Sequence, residues 1–139
     1  MKVRDAMAKT ISTASPTDTV RRLASVMKKE DCGFVPVVEE GRLVGVVTDR
    51  DIVLRCLANG HGDIGHELAA EIMSPAVVTV APDDDLEEAA HRMARSEVRR
   101  LPVLEDGHIV GILSLGNVVQ ATEDTGPAVE AVLGVTHGA

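Results

Sequence analysis

Residues 34–52 read F-V-P-V-V-E-E-G-R-L-V-G-V-V-T-D-R-D-I, and residues 100–118 read R-L-P-V-L-E-D-G-H-I-V-G-I-L-S-L-G-N-V. An offset of 66 residues lays Pro36 on Pro102, Val37 on Val103, Gly41 on Gly107 and Gly45 on Gly111. The same offset runs outward without a gap. Met7 falls on Met73, Thr13 on Thr79, Pro16 on Pro82, Asp18 on Asp84, Ala24 on Ala90, Met27 on Met93 and Val53 on Val119. One unit is therefore written twice. Two copies are too few for a solenoid, which stacks at least about three, and imply an intrachain pair related by a pseudo-two-fold axis.

Each copy contains an apolar run, a turn with glycine and a second apolar run, which predicts a hairpin. Gly41 and Gly107 supply the left-handed backbone of its turn. Unbroken Val, Leu and Ile in the strands means that both faces are covered. Pro36 and Pro102 cannot donate to a ladder, so each is expected at an edge or in an irregular strand where the sheet stops pairing, and an unpaired edge facing a cleft would leave backbone groups free for a ligand. Val20, Leu23, Ala24 and Met27 recur at helical spacing, as do Leu86, Ala89, Ala90 and Met93. Asp85 with Glu88 forms a capping-box pattern that Thr19 with Arg22 lacks, so the second helix is expected to begin more firmly. A short strand before each helix (Ile11 to Thr13, Val77 to Val80) and a closing helix after each hairpin (Arg50 to Ala58, Gly116 to Thr122) complete β-α-β-β-α per copy. Three glycines in residues 59–66 mark the connector. Domain limits of 1–66, 67–125 and a tail 126–139 follow, the tail broken at Gly126-Pro127 with a short helix at Ala128 to Leu133.

The chain has 139 residues, 45% apolar and 26% charged, a size and composition suited to one compact unit. No apolar run approaches the roughly 20 residues of a membrane span, and the start MKVRDAMAKT lacks the core of a secretory signal; a cytoplasmic location is expected. A net charge of -8 opposes replacement of the cations around nucleic acid, and one Phe without Tyr or Trp offers little for base stacking. Cys32 and Cys56 show no CxxC spacing and are expected to be free thiols. None of the five histidines lies in a nucleophile context, and His61 and His66, five apart in the connector, do not share a helical face. GHGDIG at residues 60–65 has dinucleotide-like spacing but follows a helix instead of a strand. The chain is expected not to be an enzyme.

Chemistry concentrates where the last strand meets the closing helix, in the shared pattern of Gly, two apolar residues, a hydroxyl, two variable residues, then Asp or Asn. A hydroxyl ahead of a helix N-terminus favours an anion such as phosphate, and Asp51 can accept a pair of ribose hydroxyls while Thr48 donates to phosphate. The plainer reading is that Thr48 and Ser114 are N-caps and that Asp51 complements the helix dipole.

In its paired order the sequence resembles the cystathionine beta-synthase-type (CBS) domain family, whose tandem pairs are called Bateman modules. The resemblance rests on D-A-M at Asp5 to Met7, E-I-M at Glu71 to Met73, the Pro16 and Pro82 turns, F-V-P-V-V, R-L-P-V-L and the two junctions, and covers residues 3–122. It implies an α/β (α+β) fold of two repeats packed sheet to sheet, with symmetry-related clefts for AMP, ADP, ATP or S-adenosylmethionine, no obligatory cofactor or metal, and a homodimer. Carried over by position, Thr48 would hold phosphate and Asp51 ribose, with Ile11, Thr13 and Pro36 lining the base. The counterpart would use Ser114, Asn117, Val77, Thr79 and Pro102, with Arg99 and Arg100 reaching phosphate. Asn117 lacks the two-oxygen grip of aspartate, so the expected main site is Thr48 and Asp51 helped by Arg100. A module signalling nucleotide state to a regulated protein is the leading expectation; a nucleotide-free dimerisation scaffold is the alternative. Apolar residues left over for self-association are Val53, Leu54, Leu57, Val118 and Val119.

Overall fold

A computed structural model describes residues 1–59, 64–75 and 78–122. Val77, residues 60–63 of the connector and the tail 126–139 lie outside the described residues. In chain order the elements are α1 (Val3–Ala6), α2 (Val20–Glu30), β1 (Phe34–Glu39), β2 (Arg42–Thr48), α3 (Asp49–Asp51), α4 (Ala69–Ile72), α5 (Leu86–Ser96), β3 (Arg100–Glu105), β4 (His108–Ser114) and α6 (Leu115–Thr122). A π-helical stretch, Ile52–Leu57, continues directly from α3. The fold is α+β, with antiparallel hairpins β1-β2 and β3-β4.

The described chain packs as two units, and the packing unit is offset from the repeating unit. One unit is residues 12–75; the other joins 1–11 to 78–122. Each repeat's opening segment thus docks on the other repeat. In the first unit Ala69 N–H donates to Asp18 O and Ala70 N–H to Pro16 O; in the second Val3 N–H donates to Asp84 O and Arg4 N–H to Pro82 O. The repeated Pro and Asp of these turns therefore serve the packing. Asp18 and Asp84 accept from Ser15 N–H and Ala81 N–H at 2.8 Å, shaping the loop that receives the incoming segment.

Each unit has its own core. Leu23, Val35, Val37, Val47, Cys56 and Ile72 pack in residues 12–75. Val3, Met93, Leu101, Val103, Leu113 and Val118 pack in the other. Both hairpins turn through two left-handed residues, Glu40 and Gly41 (φ 53° and 80°) and Asp106 and Gly107 (φ 54° and 81°), the backbone a two-residue turn needs to match strand twist.

Several expectations change. Ala24 is exposed, so the buried stripe of α2 runs through Val20 and Leu23 with Val26 and Met27 beside it. Asp85 caps α5 by accepting from Glu88 N–H at 3.2 Å, the distance at which Thr19 caps α2. Glu88 itself turns to Arg95 at 3.0 Å. The two starts are alike. Ile11 to Thr13 form no strand, and the pairing ahead of α2 is a single parallel bridge of Ala14 with Val37; among the described residues of the second segment, Val78 to Val80, the pairing is likewise one bridge, Val80 with Val103. Pro36 and Pro102 do lie in irregular strands, with a register shift between Val37 and Val38 and between Val103 and Leu104; what changes is the expectation of free backbone groups, because Ala14 N–H donates to Pro36 O and Val38 N–H to Ala14 O, and Val80 and Leu104 repeat this around Pro102. The bridge uses the carbonyl of proline and the amide two residues on, so the missing N–H is not needed for it. Pro36 and Pro102 are buried. Val118 is fully buried in the core and Val119 half-buried, whereas Val53, Leu54 and Leu57 are exposed.

Candidate functional site

At both junctions the hydroxyl and the residue three places on are tied reciprocally. Thr48 Oγ1 accepts from Asp51 N–H at 3.1 Å while Asp51 Oδ2 accepts from Thr48 N–H at 2.9 Å. Ser114 Oγ accepts from Asn117 N–H at 3.1 Å while Asn117 Oδ1 accepts from Ser114 N–H at 3.0 Å. The capping role is real, and it leaves both hydroxyl hydrogens able to donate to a ligand.

Beyond the cap the two sets diverge. Asp51, 12% exposed at its side chain, accepts from Ser74 Oγ at 3.2 Å through Oδ1, and the same oxygen lies 3.7 Å from Arg55 Nε. Arg55 Nη1 also donates to Met73 O at 3.2 Å. Asp51 is thus the hub of a latch that ties the closing helix to residues 72–74. At the corresponding positions the second copy has Asn117, Ala8 and Ala121, so the residues of the latch are not repeated there. The signal available in sequence was the spacing of Asp51 and Arg55, one helical turn apart; nothing local pointed to Ser74.

Close approach explains the glycine of each junction. A Cβ on Gly45 would lie 2.8 Å from Met73 Sδ and 3.0 Å from Ser74 O, and one on Gly111 2.7 Å from Met7 Sδ and 2.8 Å from Ala8 O. The repeated Met and the repeated Gly are packing partners.

Charge separates the sets further. At Gly33, opposite in sequence to Arg99, the carboxylate of Asp49 occupies the space of a side chain, 2.5 Å from an added Cβ. The second copy has Leu115 in place of Asp49 and places Arg100 directly across the hairpin from Ser114. Arg99 is exposed, one residue before β3, and its carbonyl accepts from Leu115 N–H. Among the other nominated residues, Ile11, Thr13 and Thr79 are half-buried, and Thr79 O accepts from Arg92 Nη1 at 3.1 Å. Ile11 belongs to one packing unit and Thr13 to the other.

Cys32 and Cys56 are both thiols and do not form a disulfide. Burial, with Glu67 alongside, pushes the Cys56 thiol up. Among the described residues no group of three His, Cys, Asp or Glu is placed to hold a metal ion, and no helix is long and apolar enough to cross a membrane.

This pair of junctions, each on a hairpin crossed by the other repeat's opening segment, agrees with the family match: the CBS domain matches at residues 3–57 and again at 69–124. The chain belongs to the CBS domain family. This CBS pair is 38% identical over 135 residues to the CBS domain-containing protein YhcV of Bacillus subtilis (strain 168), spanning 97% of this chain and 95% of that protein. It resembles the crystal structure of CBSX2 in complex with AMP, with TM-score 0.75 and 29% identity over 86% of this chain and 94% of the other. A second likeness is to the CBS domain pair of MJ0100 in complex with 5-methylthioadenosine and S-adenosyl-L-methionine, with TM-score 0.75 and 26% identity over 87% of this chain and 94% of the other.

Proposed function

We propose that this CBS pair is a regulatory module that binds an adenosine compound carrying phosphate, chiefly through Ser114, Asn117 and Arg100, and relays occupancy to a partner protein. The observation that carries the reading is Arg100 facing Ser114 across β3-β4. An arginine carried opposite an available hydroxyl hydrogen suits a phosphoryl group, and the amide of Asn117 has an Nδ2 without a partner among the described residues to offer a ribose oxygen. At Thr48 and Asp51 a ligand would meet the carboxylate of Asp49 and compete with Ser74 and Arg55 for Asp51. We therefore rank the site at Ser114 and Asn117 above that at Thr48 and Asp51, opposite to the order expected from sequence. The ligands in CBSX2 and MJ0100 support the adenosine class.

Self-association belongs to the same proposal. Val53, Leu54 and Leu57 are 50%, 47% and 54% exposed along one π-helical stretch, an apolar group that a second copy would cover. The dimerisation scaffold is favoured by that group alone. Titration calorimetry with AMP, ADP, ATP and S-adenosylmethionine separates the readings. Arg100→Ala is expected to weaken AMP by about tenfold or more, as loss of a charge-assisted bond requires, and to leave adenosine nearly unaffected. Absence of heat with all four ligands at millimolar concentration would overturn the nucleotide reading and favour the scaffold.

A further inference from the structure

The polar face of α2 differs from that of α5 in a way the nucleotide reading does not use. Positions 22 and 29 of the first copy correspond to 88 and 95 of the second. In α5 those positions are Glu88 and Arg95, whose side chains meet at 3.0 Å across seven residues. In α2 they are Arg22 and Lys29, both cations, and neither side chain has an ion-pair or hydrogen-bond partner among the described residues. The remaining cation of α5, Arg92, is also near a carboxylate, Asp84 at 3.8 Å. A chain of net charge -8 thus keeps these two cations unpaired at positions whose side chains demonstrably converge in the other copy.

Between them lies an open groove of about 340 Å³ lined by Ser12, Thr13, Arg22, Ser25, Lys29 and Glu30. Ser12 Oγ donates to Glu30 Oε1 at 2.9 Å, holding that carboxylate to the segment before the helix. Thr13 and Ser25 add hydroxyl donors. The volume is that of a small-molecule site.

We propose that this groove binds the phosphate group of a small phosphate ester, which takes between Arg22 and Lys29 the place that the Glu88 carboxylate takes beside Arg95. Of the residues nominated for a nucleotide only Thr13 lines it, and Thr48, Asp51, Ile11 and Pro36 do not, so the site stands whether or not the nucleotide reading holds. Arg22 supplies a planar fork and Lys29 a compact charge, a pairing suited to a tetrahedral dianion. Glu30 opposes the anion, so its removal strengthens binding.

Amide NMR of the full chain, titrated with inorganic phosphate and separately with pyrophosphate against chloride at equal ionic strength, tests this. Saturable shifts at residues 12, 13, 25 and 29 with a millimolar or tighter Kd are expected. Arg22→Glu, which copies the ion pair of α5, and Arg22→Gln should each weaken binding by at least about tenfold, and Glu30→Gln should tighten it. Neither Asn117→Ala nor Thr48→Ala should change it, which separates this groove from both junction sites. Shifts that chloride reproduces, or that persist undiminished in both Arg22 variants, overturn the proposal. So do shifts produced by polyglutamate and not by phosphate, which would make the groove a dock for an acidic polypeptide.

Discussion

Replacing Asp51 with alanine should destabilise the protein far more than replacing its counterpart Asn117, although ligand affinity should rank the two the other way. The Asp51 carboxylate accepts from Thr48 N–H at 2.9 Å and Ser74 Oγ at 3.2 Å, and only 12% of its side chain is exposed. A hydrogen bond to a charged group is worth about 1.5 to 3 kcal/mol, with a penalty for a buried donor left unpaired. The Arg55 contact adds little, because that side chain is 51% exposed and solvent screens it. A loss of about 3 kcal/mol follows from the two hydrogen bonds. Asn117→Ala removes one neutral acceptor, from Ser114 N–H at 3.0 Å, and should cost about 1 kcal/mol, as loss of an N-terminal cap does. At about 3 °C per kcal/mol for a chain of this length, Tm should fall by about 9 °C for Asp51→Ala and about 3 °C for Asn117→Ala. Differential scanning calorimetry without ligand reads both, and Ser74→Ala should reproduce part of the first loss. Equal shifts for Asp51→Ala and Asn117→Ala would refute the latch, as would an unchanged Tm in Asp51→Ala.

The glycines at the crossings predict a second pair of losses. Gly111→Ala, with Ala8 O at 2.8 Å from the new Cβ, should cost more than Gly45→Ala, with Ser74 O at 3.0 Å. Both should fall in the range of about 1 to 3 kcal/mol usual for overpacking, read by urea denaturation. Cys56 predicts an alkaline dependence. Its raised pKa means that the folded state holds the thiol proton more tightly than the unfolded state, so this stability is present below the ordinary value of 9.0 and is lost as pH rises above it. Cys56→Ala should flatten the decline measured by denaturation across the alkaline range on either side of that value; an identical decline would assign it elsewhere. Finally, because Thr19 and Asp85 cap at the same 3.2 Å, Thr19→Ala and Asp85→Ala should each cost about 1 kcal/mol, in contrast to the stronger second cap expected from the capping-box pattern.

What the sequence determined by itself is what repeats or is periodic. The offset of Met7 on Met73 and Gly45 on Gly111 established two copies, and the hairpins with turns at Gly41 and Gly107 were legible because strand patterning and left-handed turn residues are local properties. The junction pairs Thr48 with Asp51 and Ser114 with Asn117 were legible for the same reason, since residues three apart at a helix start meet whatever surrounds them. Tertiary structure alone decided which copy each opening segment joins, because the docking bonds from Ala70 to Pro16 and from Arg4 to Pro82 span most of a repeat or more. It also decided the fate of Asp51. Ser74 lies 23 residues away in sequence and reaches the carboxylate only because Val46 and Ser74 pair their backbones across the glycine at 45. Pro36 shows the same limit from the other side: a missing N–H was visible in the sequence, but the parallel bridge to Ala14 that bypasses it is a long-range pairing. Local chemistry fixes what a residue is able to bond; only the packed chain determines which bonds are already taken.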